Sequence, residues 1–421
     1  MKEFQLIIFG ATGLTGSQTV LYVNKFAREN GISWAIAGRN KQKLQQLVDE
    51  LQLDVDGVVV ADALDEKSVQ AMVKRTTALI NLAGPYAIYG ANVIGQCAKQ
   101  GVAYADLSGE TLFVKEMIEK YGDTAKRTGA RIIPVCGYEA LPFDLGCLFV
   151  ADNFQQQYDQ APTLIEAVAQ FHFDGKVIYP SDGISGGTWG SAVEMFKTDN
   201  LDGVSDPHIL LDNDRSWLPK ESQKYQLLKN VFPHGGGWLA PMVPQPWLNP
   251  AVIYRTQEIL KAASDNIGFT YREGMDTSGF FPGDKLLKPF MSVGMAIMLE
   301  AGDFLLKFNT VAPRKMVGKV MALVGPKPGD GPKPERLDLW SYTIEFTASD
   351  EAGNKSLATV TGQGQPGYKS TADIIGQVGI LLAKNDKRLP KRAGVLTPAS
   401  ALGLDLLDEF SSARLYFSKE G

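Results

Sequence analysis

The sequence predicts an α/β chain that begins with a doubly wound parallel sheet and continues into a second α+β unit. Three observations carry this expectation. Short, nearly continuous apolar runs alternate with helix-forming runs through residues 1–150, as in a parallel sheet covered on both faces. The first apolar run ends in a glycine-rich turn, "QLIIFGATGLTG" from Gln5 to Gly16. Beyond residue 150 the pattern changes to two-residue alternation mixed with irregular Pro/Gly/Trp-rich stretches.

Taken in order, Leu6–Phe9 reads as the first strand, with a helix from about Ser17 to Glu29. "SWAIAGR" and "DGVVVAD" are strands, each followed by a charged amphipathic helix. "TALINLAG", "AYADLSG" and "ARIIPVCG" complete the set, separated by "NVIGQCAKQG" and "TLFVKEMIEKYGDTAKRTG" as helices. "LPFDLG" opens the next helix, in which Asp144 caps or packs. In the second unit, residues 151–365, "TLIEAVAQFHF" is a strand, and "LDLWSYTIEFTASD" and "KSLATVTGQG" pair as a hairpin across "EAGN". Residues 199–250 read as ordered loop, because Trp and Phe are too frequent for a disordered linker. "KPFMSVGMAIMLEAGDFLLKF" is a long apolar helix broken at Glu300 and Asp303. "GPKPGDGPKPE" is an exposed loop, and "STADIIGQVGILLAK" and "PASALGLDLLDEF" are two closing helices within residues 366–421.

Composition narrows the function classes. The chain has 421 residues, 44% hydrophobic and 21% charged, with a formal net charge of −5 and no long basic run, which argues against a nucleic-acid partner. Cys97, Cys136 and Cys147 form no CxxC pair, and His172, His208 and His234 stand at no zinc-ligand spacing with them. Reduced thiols, a cytoplasmic location and no metal are expected. No apolar stretch reaches the roughly 18 residues of a spanning helix. The Met-rich Lys288–Phe308 helix is read as a buried or dimer-interface element, or as a wall or face near lipid.

The glycine turn has a physical purpose. A strand that ends in G-x-x-G-x-x-G and enters a helix lets backbone approach a pyrophosphate, and the helix N-terminus offers free N–H groups to it. Gly10, Ala11, Thr12, Gly13, Leu14, Thr15 and Gly16 are therefore assigned to a dinucleotide. The second strand ends on Arg39 and Asn40 where an NAD site usually carries an acid, so a 2′-phosphate, and NADP(H) rather than NAD(H), is expected. Asp62 is placed at the adenine edge, and Ala83, Gly84 and Pro85 beside the nicotinamide ribose.

Several longer stretches resemble the saccharopine dehydrogenase-like oxidoreductases, a family that includes trans-acting enoyl reductases. They are "GATGLTG", "AGRNKQKL", "NLAGPYAIYGANVIGQCAKQGVAYADLSGE", "GYEALPFDLG", "SGGTWGS", "PKPGDGP", "PGYKSTADIIG" and "GVLTPASALG". The resemblance implies a Rossmann domain, an α+β domain that helps to form the substrate cleft, and terminal helices that return to the first domain. It also implies an oxidoreductase, with reduction of a C=C or C=O bond on an apolar, lipid-derived substrate as the leading reading. Saccharopine-type amino-acid or imine chemistry is the alternative, although Arg215, Arg255 and Arg272 are scattered where that chemistry wants an arginine cluster. A non-catalytic NADP-binding sensor or lipid-associated protein is the third reading. A homodimer and peripheral lipid contact are compatible with each.

Hydride chemistry needs orientation, a dry site and one proton source. The candidates for catalysis are Tyr86, Glu110 and Tyr138, all expected at the carboxyl edge of the sheet. Tyr86 can instead pack under its loop, and Glu110 can instead stabilise the helix that follows it. Tyr86, Glu139, Ser185, Gly187 and Thr188 are candidates for substrate contact. The single Tyr-x-x-x-Lys pair, Tyr225–Lys229, lies too far along the chain for a short-chain reductase relay.

Overall fold

The computed structural model describes residues 2–179, 182, 186–198, 201–212, 214–223, 231–234, 237–242, 246–261, 268–276, 288–307, 311–327 and 331–420. The first unit runs β1 (Phe4–Phe9), α1 (Leu14–Phe26), β2 (Trp34–Gly38), α2 (Lys41–Leu51), β3 (Gly57–Val60), α3 (Glu66–Lys74), β4 (Thr76–Asn81), α4 (Tyr86–Gln100), β5 (Ala103–Asp106), α5 (Thr111–Thr128), β6 (Arg131–Ile133) and α6 (Leu141–Tyr158). The chain continues through β7 (Leu164–Phe173), α7 (Gly186–Lys197), β8 (Pro233–His234), β9 (Gly237–Ala240), α8 (Leu248–Leu260), β10 (Thr270–Asp276), α9 (Lys288–Lys307), α10 (Val311–Val324) and α11 (Pro334–Leu337). It closes with β11 (Trp340–Ser349), β12 (Lys355–Gln363), α12 (Thr371–Lys384), β13 (Gly394–Val395), α13 (Pro398–Leu402) and β14 (Leu415–Glu420).

Two sheets result. The first is parallel throughout, in the order β3-β2-β1-β4-β5-β6-β13, so the strand order reverses between β1 and β4. A ligand crevice belongs at the carboxyl ends of those two strands. The second sheet runs β14-β12-β11-β7-β10-β9-β8 and is mixed, with β7 and β10 parallel and the other pairs antiparallel. The predicted hairpin across "EAGN" is its β11–β12 pair.

The strands of the first sheet are buried because both faces are covered, and one cover comes from the far end of the chain. Helix α12 lies against β1 and β4, where a Cβ on Gly379 would stand 2.3 Å from Ile80 Cδ1 and 3.4 Å from Leu6 Cδ1. Gly376 meets the ring of Tyr22 on α1 in the same way, and the Tyr22 hydroxyl donates to Gln377 Oε1 at 2.9 Å. Helix α6 spans residue 150 and presses on the second sheet, with Gly146 against the ring of Phe346. One apolar cluster therefore continues from Leu6 and Ile8, through Phe143 and Val150, to Ile344 and Phe346.

Several expectations are corrected. Helices α1 and α4 begin at Leu14 and Tyr86, earlier than the apolar spacing suggests, because loop glycines blur a helix start. The irregular region holds β8, β9 and the start of α8, and beyond it α8 continues and β10 follows. Glu300 and Asp303 lie within the uninterrupted α9, since an acid in a helix interior costs only a fraction of a kcal/mol in propensity and does not break it. The last helix is a short α13 followed by a 3₁₀ turn, Leu407–Ala413, because Gly403 takes a positive φ of 68°. Strands β13 and β14 were not foreseen.

The fit of α12 generates a test. Gly379→Val is expected to force α12 away from Ile80 and to cost about 1–3 kcal/mol of stability. Urea denaturation of the variant against the parent chain measures it, and an unchanged midpoint would contradict the packing.

Candidate active site

The glycine turn after β1 is shaped by its neighbours. Gly10 has φ of 86°, and a Cβ there would lie 2.7 Å from the Ala83 nitrogen and the Leu82 carbonyl carbon. A Cβ on Gly16 would lie 2.4 Å from the Gly10 oxygen. These two glycines let β1, α1 and the segment after β4 meet. Gly13 has no such crowding and forms the N-cap of α1 without a side-chain cap, so the first N–H groups of that helix have no side-chain acceptor there. Thr12 and Gly13 are exposed at the same point. The cradle fits a dinucleotide pyrophosphate.

Arg39 is exposed and has no hydrogen bond or ion pair to the described residues. Asn40 is the N-cap of α2, its Oδ1 accepting from Lys43 N at 3.0 Å. Asp62 forms a local turn in which Oδ1 accepts from Leu64 N at 3.0 Å, and its own N–H donates to Ser68 Oγ. Arg39 is thus a guanidinium left available beside the ends of β1 and β2, the donor a 2′-phosphate requires.

Across the crevice, a buried polar chain ties the ends of β4, β5 and β6 together. Asn81 Oδ1 accepts from Ala83 N at 3.0 Å, and its Nδ2 donates to the Tyr104 hydroxyl at 3.1 Å. Tyr104 in turn donates to Asp106 Oδ2 at 2.7 Å. Asp106 Oδ1 accepts from Ser108 N and from Val135 N, at 2.9 and 3.1 Å. Burial pushes the Asp106 carboxyl up to about 6 despite those donors. Val135 takes φ of 62°, a left-handed conformation rarely adopted by a β-branched residue, held there by its bond to Asp106.

Tyr86 and Glu110 belong to the same edge. Tyr86 is buried. Its hydroxyl donates to Asn81 O at 3.1 Å and accepts from Leu107 N at 3.2 Å. The Glu110 carboxylate accepts from Tyr86 N at 2.9 Å and Ala87 N at 2.8 Å. It therefore caps α4, whose own N-cap is Pro85 and has no side-chain acceptor to offer. Ala83, Gly84 and Pro85 are held between these two residues, with the Gly84–Pro85 bond cis.

Tyr138 stands where the first sheet faces the second. Its ring packs edge-on against Tyr342 at 4.6 Å, Phe143 at 5.8 Å and Phe171 at 6.0 Å. Its N–H donates to Thr371 Oγ1 at 3.0 Å, and its buried hydroxyl has no partner among the described residues. Burial holds the phenol well above its usual range, so it stays protonated. The neighbouring Tyr342 hydroxyl pairs with Ser370 Oγ at 2.8 Å. Burial also pushes the Glu139 carboxyl up. Glu273, on β10, is fully buried and raised to about 8, with Oε2 accepting from Asn249 Nδ2 at 2.8 Å and from the Tyr271 hydroxyl at 2.9 Å. Oε1 of Glu273 and Oδ1 of Asn249 both lack a donor. A proton on Glu273 supplies one.

The sequence-derived candidates thus divide. Gly10 and Ala83 meet at the carboxyl ends of β1 and β4, where Tyr86 and Glu110 brace the segment after β4, while Tyr138 follows β6 and packs against the second sheet. Ser185 lies outside the described residues, as do Tyr225 and Lys229. Gly187 and Thr188 fall in the first turn of α7. Asp144 accepts from Thr256 Oγ1 at 2.6 Å and Ala399 N at 2.8 Å, joining α6, α8 and α13, and burial raises it to about 7. Cys97, Cys136 and Cys147 are buried free thiols, and no metal-binding group of side chains occurs among the described residues. Four arginines of the second unit have acidic partners among the described residues: Arg215 with Asp206, Arg255 with Glu258 and Asp212, Arg272 with Glu166, and Arg336 with Asp182. Sequence reasoning missed Asn81, Asp106, Thr371 and Tyr342; the first three lie inside quoted motifs, whereas Tyr342 is one alternating strand residue among many.

Known proteins share the sequence and the fold. Residues 6–133 match the model of the saccharopine dehydrogenase NADP binding domain. A putative trans-acting enoyl reductase of Mycobacterium tuberculosis is 30% identical over 98% of this chain and 96% of its own length. A trans-acting enoyl reductase of Mycobacterium ulcerans is 30% identical over 96% of this chain and 95% of its own. Among solved structures, apo saccharopine dehydrogenase (L-Glu forming) from Saccharomyces cerevisiae shares the fold, with a TM-score of 0.53, 11% identity and 99% of each chain covered.

The buried carboxyl gives a pH test. Because the folded-state pKa of Glu273 is raised, its contribution to stability is complete below about 4.5 and is lost as pH rises through about 8. The slope reaches about 1.4 kcal/mol per pH unit for one proton. Glu273→Gln keeps a donor toward Asn249 and is expected to flatten that part of the profile. Thermal melts of both proteins from pH 5 to pH 9 show it, and parallel profiles would mean that Glu273 is ionised in the fold.

Proposed function

This chain belongs to the saccharopine dehydrogenase-like oxidoreductase family that includes the trans-acting enoyl reductases, and from that premise we propose that it is an NADPH-dependent reductase of a C=C or C=O bond in an apolar, lipid-derived substrate. The observation that carries the reading is the wall around Tyr138: aromatic, without a paired charge, and with one protonated hydroxyl left over. A conjugated acyl chain suits such a wall, and a multi-carboxylate amino acid does not, since Arg215, Arg255 and Arg272 already have acidic partners. A substrate of that class resides in lipid, which brings a cytoplasmic enzyme to a lipid surface.

NADPH, when bound, supplies the hydride. The rest falls to the chain. Gly10, Gly13 and the α1 N-terminus receive the pyrophosphate, with Thr12 and Thr15 as hydroxyl donors, and Arg39 receives the 2′-phosphate. Ala83, Gly84 and Pro85 border the nicotinamide ribose, in a loop whose position Tyr86 and Glu110 fix by their hydrogen bonds. Tyr138 donates the proton that completes the reduction and recovers it from solvent after product leaves. Burial keeps it protonated until the substrate is in place. Tyr86 and Glu110 are positioning residues in this scheme.

Two measurements test it. Arg39→Ala is expected to weaken NADPH binding about 10- to 100-fold while leaving NADH binding nearly unchanged, read by nucleotide fluorescence titration. Equal losses for both nucleotides would remove the 2′-phosphate assignment. With a trans-2-enoyl thioester as substrate, Tyr138→Phe is expected to lower kcat by about 10²- to 10⁴-fold with NADPH affinity retained. Unaltered turnover would exclude Tyr138 as donor, and tight NADPH binding with no turnover on any enoyl or carbonyl substrate would favour a sensor.

A further inference from the structure

Helices α9 and α10 turn an apolar face toward solvent, and this is the feature of the surface that the chemistry leaves unexplained. On α9 the exposed side chains are Phe290, Ile297 and Met298, with Gly294 and Ala301 between and beyond them. At 100° per residue these five positions fall within one arc of about 100°. On α10 the exposed arc holds Met316, Val317, Val320, Leu323 and Val324, with Leu323 84% and Val324 75% exposed. A soluble surface scatters such residues singly; an outer arc as apolar as that of α10 is a patch with a purpose.

The opposite sides of both helices are already in use. The Gly318 side of α10 packs on α7 beside Phe196, and Trp189 Nε1 donates to Met321 O at 2.8 Å. On α9, Ser292 and Ala296 are buried, Ala296 in a small cluster with Val231. The exposed arcs are therefore not inner faces turned outward by a misplaced helix.

Charge selects the occupant. Helix α10 contains Arg314, Lys315 and Lys319 and no acidic residue, and Lys327 follows it, in a chain whose net charge is −5. Lys319 is exposed on the flank of the apolar arc and has no ion-pair partner among the described residues. An apolar arc flanked by lysine is the composition of a helix that lies in a lipid–water interface. No described helix is long and apolar enough to cross a membrane, so the contact is lateral. A second copy of the chain is the poorer fit, because a two-fold contact through α10 brings its cations toward their own images with no acid on that helix to answer them.

We propose that the outer face of α10 forms a docking surface for an anionic phospholipid membrane, with Leu323 and Val324 entering the acyl boundary and Lys319 meeting lipid phosphate. The surface stands independently of the chemistry at the nicotinamide end. The test is co-sedimentation of the full chain with vesicles of phosphatidylcholine alone or of phosphatidylcholine with phosphatidylglycerol. Retention is expected on the anionic vesicles and is weakened by added salt. Lys319→Gln is expected to lower the partition about fivefold, and Leu323→Asp about tenfold or more. NADPH titration of each variant should match the parent, which separates loss of the surface from loss of fold and from failure of the reductase reading. No retention on either vesicle overturns the proposal. So does a Leu323→Asp variant that turns a dimer into a monomer in sedimentation velocity while vesicle binding is unaltered, since the face would then join two copies.

Discussion

The Asp106 carboxylate is the interaction on which the crevice depends. It sits at the end of the fifth strand, wholly buried, and takes hydrogen bonds from Tyr104, Ser108 N and Val135 N. Through Tyr104 it reaches Asn81, and through Asn81 the backbone of Ala83, which itself touches Gly10. Three strand ends and the glycine turn are thereby fixed relative to one another without a charge pair. A buried acid of this kind is stabilising only while every donor is present, because an unpaired one carries the full desolvation penalty. The strained Val135 backbone is the local cost of that arrangement.

The network also decides which polar groups remain for chemistry. Tyr86 and Glu110 both use their polar atoms to hold the start of α4. Among the three residues that the sequence nominates for acid–base work, Tyr138 is the one whose side chain reaches no hydrogen-bonding partner among the described residues. Rigidity and reactivity are thus divided between neighbouring side chains on one sheet edge. The braced loop keeps its place whatever the protonation state of the wall opposite.

How much of this was legible in the sequence follows from how local each signal is. The parallel sheet, the glycine turn and Arg39 are local: apolar strand runs, fixed glycine spacing and the residue that ends the second strand. The return of "STADIIGQVGILLAK" to the first domain came from family resemblance, and its physical reason, glycines at 376 and 379 that admit close packing, is visible only against Tyr22 and Ile80. Helix α8 and strand β10 were missed because Pro, Gly and Trp in the preceding stretch mask their period. Strand β13 is two residues long and carries no alternation, so its pairing with β6 is a purely tertiary event. The role of Glu110 was half legible: a carboxylate at a helix start was read, but the helix it caps is α4, not the α5 that follows it.

The last fifty residues divide themselves between the two sheets. Helix α12 covers one face of the first sheet, β13 extends its edge, and β14 pairs with β12 on the edge of the second. During synthesis, then, β1 and β4 emerge long before their cover, with Leu6 and Ile80 bare until α12 has left the ribosome. The nucleotide-binding unit cannot mature ahead of the rest. Closure by distant sequence makes for slow, late assembly, and a chain truncated before α12 would present that uncovered strip of sheet to chaperones and proteases rather than a working half-enzyme.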